Sequence, residues 1–338
     1  MGYYDDKLDS LRDLFATGDV RVEDERVVID GRAYPVLDDV IVLLDPALWP
    51  DGVRTRLGDA AAAGDGSAPF APDIQKTFGA EWTKYAEILP EYGEVVRRYF
   101  DIVPARLLDG ARILDLGCGT GRWSWFLKER ARELVMVDFS EAIFVARRNL
   151  RDATGTLFFL RDVTRLPFRD RAADLVVCLG VLHHLPVDAL TATRGLARLA
   201  PAALVYLYYA LDNRPVLFRA VFRVADAVRR GLSRIEHPGA RTALTWVGAA
   251  GLYLPFVGLG WLLRPLGVSR HVPLYEGYRD RSFKLMRQDF YDRFFTRIEQ
   301  RVSRAEVAAL ADRFESVTIS DAVPYWHFLC ETPHDGAA

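Results

Sequence analysis

An acid and three glycines, Asp115, Gly117, Gly119 and Gly121, stand in the stretch Ala111 to Gly121, which reads ARILDLGCGTG. The apolar run Ile113 to Leu116 predicts a strand, the glycines a tight turn, and Arg122 to Arg130 a helix. A strand that breaks into a glycine turn and opens a helix is a nucleotide-binding geometry. Glycine lets a ligand approach the main chain with no Cβ in the way. Asp138 ends the next apolar run, about twenty residues on, where an acid can meet a ribose hydroxyl pair. The spacing is G-x-G-x-G, not the dinucleotide G-x-G-x-x-G, and no Walker lysine follows, so a triphosphate is disfavoured. Two adjacent histidines, His183 and His184, follow the apolar run Asp174 to Leu179. A histidine there could take a proton near neutral pH; the alternative is structural, with one ring capping backbone and the other packed. Tyr209 ends the fifth apolar run, Ala203 to Tyr209, and Asp212 follows it; both are expected at the mouth of the sheet, where an acceptor would bind.

These residues resemble those of the class I (Rossmann-like) S-adenosylmethionine-dependent methyltransferases. Asp115 to Gly121 is similar to motif I, D/E-x-G-x-G-x-G, and Val137-Asp-Phe-Ser140 to the V-D-x-S motif. Arg161-Asp-Val163 resembles motif III, and Gly180 to Pro186 resembles L-x-x-H-H-L-x-D with Asp188 displaced by one residue. Pro201 replaces the usual P-G-G turn. Phe78, Gly79, Trp82 and Tyr85 form an F-G-x-x-W-x-x-Y pattern similar to the segment preceding the core in a group of bacterial methyltransferases. The resemblance implies S-adenosyl-L-methionine as cofactor and in-line methyl transfer. It assigns cofactor contact to Trp82, Asp115, Gly117, Cys118, Gly119, Gly121, Asp138, Phe139, Asp162, Val163, Leu179 and Gly180. Asp162 would accept from the adenine amino group, Phe139 would pack beside adenine, and Trp82 with Tyr85 would wall the active site. His184, Tyr209 and Asp212 are the side chains expected to serve catalysis.

The elements that must position these residues alternate strand and helix, as in a parallel sheet covered on both faces. The expected fold is α/β: a seven-stranded, mostly parallel Rossmann-like sheet, a small N-terminal α+β unit and a mainly helical insertion. The expected segments are an accessory domain over 1–50, a linker over 51–71, a helical cap over 72–108 and the cofactor-binding core over 109–211. An acceptor-binding insertion or lid over 212–305 and the last helix and strands over 306–332 complete it. Gly31 to Pro46 resembles the ending of a small zinc-ribbon-like domain found beside bacterial methyltransferases. That family holds zinc with cysteine pairs; no cysteine occurs here and no histidine precedes His183, so no metal is expected.

Composition narrows the function. With 44 Lys and Arg against 46 Asp and Glu, the net charge of −2 does not mark a general nucleic-acid binder, and no DNA partner is expected. Three scattered cysteines suggest neither a disulfide framework nor a zinc cluster, and no apolar leader opens the chain, which fits a cytoplasmic protein. Ala243 to Leu263 carries no charge and is flanked by Arg241 and Arg264. It is long enough to cross a bilayer, but its glycines, Pro255 and its place inside a core fold favour a buried helical hairpin. A peripheral membrane contact is the intermediate option. The expected acceptor is a small or medium metabolite (a glycan, a lipid-linked intermediate or a specialised metabolite) or a peptide. RNA methylation and a non-catalytic cofactor-binding or membrane-associated scaffold are the alternatives. The sequence leaves the oligomeric state open.

Overall fold

A computed structural model describes residues 2–58, 72–210, 212, 216–322 and 326–333. Most of the expected linker, together with Asn213 and Arg214, lies outside the described residues. The chain divides into two compact units, one of residues 1–210 with 298–338 and one of 211–297.

In chain order the first unit opens with α1 (Leu8–Phe15), β1 (Val20–Glu23), β2 (Arg26–Ile29), β3 (Arg32–Leu37), β4 (Val40–Val42), α2 (Asp51–Leu57), α3 (Pro72–Lys84) and α4 (Tyr92–Tyr99). There follow β5 (Arg112–Leu116), β6 (Glu133–Asp138), α5 (Ala142–Asn149), β7 (Thr156–Leu160), β8 (Leu175–Leu179), α6 (Ala189–Gly195) and β9 (Ala202–Leu207). The second unit holds α7 (Val216–Leu232), α8 (Pro238–Gly248), α9 (Leu254–Leu263), α10 (Tyr275–Tyr278) and α11 (Phe283–Phe295). The chain returns to the first unit through α12 (Arg304–Ala308), β10 (Ser316–Ile319) and β11 (Trp326–Glu331).

One sheet runs in the order β1-β2-β3-β4-β7-β6-β5-β8-β9-β11-β10. Strands β7, β6, β5, β8 and β9 are parallel neighbours. They are almost wholly buried, which is why they read as unbroken apolar runs. Strand β11 pairs antiparallel with β9, and β10 with β11. The strand order reverses about β5, between β6 and β8, so the crevice beyond their carboxyl ends is a topological switch point.

The sheet has eleven strands where seven were expected. The N-terminal segment is not a separate accessory unit. Its three hairpins turn on two residues each, with positive φ at Asp24, at Asp30 and Gly31, and at Asp38 and Asp39. Its last strand then covers the open edge of the core: Ile41 pairs with Phe159 and Val42 with Leu160, in parallel. Tyr3 and Tyr4 donate their hydroxyls to the carbonyls of Thr156 (2.7 Å) and Phe158 (3.2 Å). An unpaired edge on β7 is a liability that this pairing removes.

Three further expectations differ. Residues 51–57 of the expected linker form α2. The helix expected over Arg122 to Arg130 is only a 3₁₀ turn, Ser124–Phe126. The segment expected as a buried hairpin is one continuous helix, Pro238–Leu266, of 29 residues, and only 17% of its most apolar stretch is buried. A π-turn over Ala249–Tyr253 joins α8 to α9 just before Pro255, so the proline's missing N–H falls where the regular α-helical ladder is already interrupted.

Candidate functional site

The glycine loop follows directly from β5. Gly117, Gly119 and Gly121 all have positive φ, of 68°, 54° and 71°. At Gly117 an added Cβ would lie 2.4 Å from Val181, so the loop closes against the segment after β8. Asp138 at the tip of β6 ties the two strands together: its Oδ2 accepts from the Gly119 N–H at 2.9 Å. Its Oδ1 accepts from the backbone and hydroxyl of Ser140 at 2.8 and 2.7 Å. Asp115 lies buried behind the loop and accepts from the Ser124 hydroxyl at 2.6 Å.

The electrostatics are those of a buried anionic pocket. Burial pushes the Asp115 carboxyl up to about 7, helped by the Asp138 charge and opposed by Ser124. Burial also raises Asp138, against the hydrogen bonds from Ser140 and Gly119. Cys118 is held well above its ordinary value by burial and by both acids, so its thiol stays protonated. These carboxyls favour a ligand that brings positive charge. The 3₁₀ turn after Gly121 presents no α-helix N-terminus, so the loop lacks the dipole that would recruit a phosphate.

Asp162, after β7, is buried, and its Oδ1 accepts from the N–H and hydroxyl of Thr164 at 2.8 Å each. Its other oxygen has no protein partner among the described residues. Phe139 and Val163 are half-buried, and Leu179 and Gly180 form the end of β8, where Gly180 has φ 81°.

Helix α3 closes the crevice. Its Trp82 indole would meet a Cβ on Gly119 at 3.4 Å. Phe78, one turn earlier, packs on His184 with ring centroids 5.2 Å apart. One helix face therefore reaches from the glycine loop to the segment after β8. Two amides fix this arrangement and were not singled out from the sequence. Gln75 donates to the carbonyls of Phe139 (2.6 Å) and Leu48 (3.1 Å), and Asn149 to those of Ala86 and Thr120 (2.9 Å each). Arg122 was also missed, although it is the first residue after the third glycine. Its guanidinium lies over the Trp82 and Trp123 rings, 4.4 Å from each centroid, with no ion pair among the described residues.

Of the three side chains expected to serve catalysis, His184 and Tyr209 lie in the first unit. His184 stays at the crevice: its Nδ1 is 2.7 Å from the Ile298 carbonyl. A carbonyl only accepts, so Nδ1 carries a proton and Nε2 is the ring position left to accept one. Tyr209 lies on the opposite sheet face from Tyr206 and Tyr208, because side chains alternate along a strand. It packs on Trp326, with centroids 6.1 Å apart. Asp212 is exposed and belongs to the second unit, so it has no assigned place in this site. His183 is fully buried and stacked on Tyr208 at 4.0 Å, and burial drives its pKa well down, which leaves it a neutral core ring.

Residues 113–201 match a family described as a methyltransferase domain. The ubiquinone biosynthesis O-methyltransferase of Xanthomonas oryzae pv. oryzae is 30% identical over 141 residues, which are 40% of this chain and 59% of that protein. The probable tRNA methyltransferase 9B of Mus musculus is 24% identical over 170 residues, 49% of this chain and 32% of that protein. Among solved structures, the DhpI–SAH complex is similar over 78% of this chain and 97% of its own, at 15% identity and a TM-score of 0.45. The chain thus spans 59% of the length of the ubiquinone-pathway relative. The matched segment contains the strands and loops that build the switch point, and over residues 113–201 this chain is similar to a methyltransferase domain.

Proposed function

We propose that the whole protein methylates a hydroxyl of a small or medium-sized metabolite, with the acceptor entering beside His184. The observation that carries this reading is the span of α3 from Trp82 at Gly119 to Phe78 at His184. The glycine loop and His184 thus lie under one helix, which supports a cofactor and a base acting together.

The residues fit the cofactor. Gly117 and Gly119 allow its close approach, and Asp138 suits the ribose hydroxyls. Asp162 offers a free carboxylate oxygen to the adenine amino group, with Phe139 packed alongside. Asp115 and Arg122 are matched to the ammonium and carboxylate of an amino-acid end, and the Trp82 ring suits a cationic sulfur. Bound there, S-adenosylmethionine supplies an activated methyl group on a sulfonium.

The chain's own part is positioning, exclusion of water and removal of one proton. The Ile298 carbonyl fixes the His184 tautomer, so Nε2 can take the hydroxyl proton as the acceptor oxygen becomes a nucleophile. An oxygen acceptor needs such a base, whereas a neutral amine does not. The name of the ubiquinone-pathway relative, an O-methyltransferase, supports the same choice.

Purified protein incubated with methyl-labelled S-adenosylmethionine and fractionated cell extract tests this. Label in a base-stable, low-molecular-weight product is the expected result. Label in RNA would contradict the acceptor class, and no label in any fraction despite intact cofactor binding would leave a scaffold.

A further inference from the structure

We infer that the second unit docks on an anionic phospholipid surface through the exposed face of the helix Pro238–Leu266. This rests on that unit alone and not on the methyltransferase reading.

The helix has two unlike sides. Arg241, Thr245, Ala249 and Tyr253 are buried at a spacing of four, followed by Gly260. A spacing of four drifts by about 40° per step on an α-helix, and the wider π-turn over Ala249–Tyr253 absorbs the drift. Two glycines bring this side close to its neighbours: an added Cβ would lie 2.1 Å from Phe290 at Gly248 and 2.0 Å from Tyr275 at Gly260. The other side carries Trp246, Val247, Leu254, Trp261, Leu262 and Leu266, all exposed, with Val247 at 69% and Leu262 at 74%. A contiguous apolar face of this kind is an interaction surface, not ordinary surface scatter.

Charge selects the occupant. No Asp or Glu occurs between Glu236 and Glu276, while Arg264 and Arg270 do and are exposed. Each exposed tryptophan is covered by an arginine: Arg287 lies 3.6 Å from the Trp246 ring centroid and Arg264 lies 5.0 Å from that of Trp261. Tryptophan–arginine pairs with an apolar stripe between them suit the headgroup level of a bilayer, where rings sit among glycerol groups and guanidinium meets phosphate. A protein partner would be met by a rim of both signs.

The helix is long enough to span a membrane but does not do so. Helix α11 packs along its buried side and carries Asp289, Asp292 and Arg293. A span would draw these charges into hydrocarbon, whereas a helix lying in the interface leaves them on the water side.

The test is sedimentation of the full chain with phosphatidylcholine vesicles, with and without phosphatidylglycerol. We expect binding to the anionic vesicles, weakened about tenfold or more by L262E and about fivefold or more by R264E. Melting temperature and S-adenosylmethionine affinity should be unchanged in both; V247E replaces L262E if that variant does not fold. Absence of binding to anionic vesicles would overturn the inference. So would equal binding by the folded glutamate variants, or a wild-type dimer that these variants dissociate without any vesicle binding.

Discussion

His184 donates its Nδ1 proton to the carbonyl of Ile298, 2.7 Å away, across a long interval of sequence. The bond leaves Nε2 as the only ring position that can accept a proton. The same segment is sewn to the turn after β8 by Gln300, which donates to the carbonyls of Leu185 (2.9 Å) and Val187 (2.7 Å). His184→Ala should therefore lower turnover by about 10²–10⁴-fold. S-adenosylmethionine affinity measured by calorimetry should stay within a few-fold of wild type. His183→Phe, at the stacked core ring, should leave turnover far less affected.

Asp115 carries a stability cost. Burial raises its folded pKa to about 7, above the ordinary carboxylate value. The folded state thus keeps a proton that the unfolded state has lost, and stability falls as pH rises from about 4 to about 7, by a few kcal/mol at most. Asp115→Asn keeps an acceptor for Ser124 and removes the charge. Its melting temperature at pH 8 should equal or exceed that of wild type, with the gap closing toward pH 5, while cofactor affinity falls. A variant that melts well below wild type at pH 8 would refute this.

Arg122 stands over Trp82 with no carboxylate partner among the described residues. Arg122→Gln should weaken S-adenosylhomocysteine binding by about tenfold, the worth of one charged hydrogen bond, and binding should become less sensitive to salt. Lysine at this position should restore only part of the affinity, because it lacks the planar fork.

The sequence was most legible where burial is two-sided. Leu175 to Leu179, and Ile113 to Leu116 despite Asp115, read as strands because a parallel sheet covered on both faces demands largely apolar runs. Gly117, Gly119 and Gly121 were legible because positive φ leaves few other choices. The S-x-x-E spacing of Ser303 and Glu306 is a purely local signal, and the structure has the capping box it spells. What was missed is non-local. Nothing in Val40 to Val42 says that β7 is its partner. Tyr209 was misplaced because strand periodicity is two, so a one-residue uncertainty in register exchanges the faces. The glycines and Pro255 of the apolar helix resemble breakers, but Gly248 and Gly260 admit Phe290 and Tyr275, and the proline follows directly on the π-turn.

The pairing of β4 with β7 makes the N-terminal strands part of the core. A chain beginning at residue 51 should be insoluble or melt far below the full protein, since it bares the β7 edge and the apolar faces of Phe158 and Phe159. Ile41→Ala in the full chain should cost about 2–4 kcal/mol in chemical denaturation. A truncated chain with the full protein's melting temperature would restore a separable accessory domain.

Asp138 joins the glycine loop to β6 through Gly119 and faces the place assigned to the ribose. Calorimetric titration of wild type and Asp138→Ala with S-adenosylmethionine therefore tests the account most directly. Wild type should bind with one site per chain, and the variant should lose about 10²-fold or more in affinity while keeping its circular dichroism spectrum. Equal affinity in the two proteins, or no binding by wild type, would contradict the account.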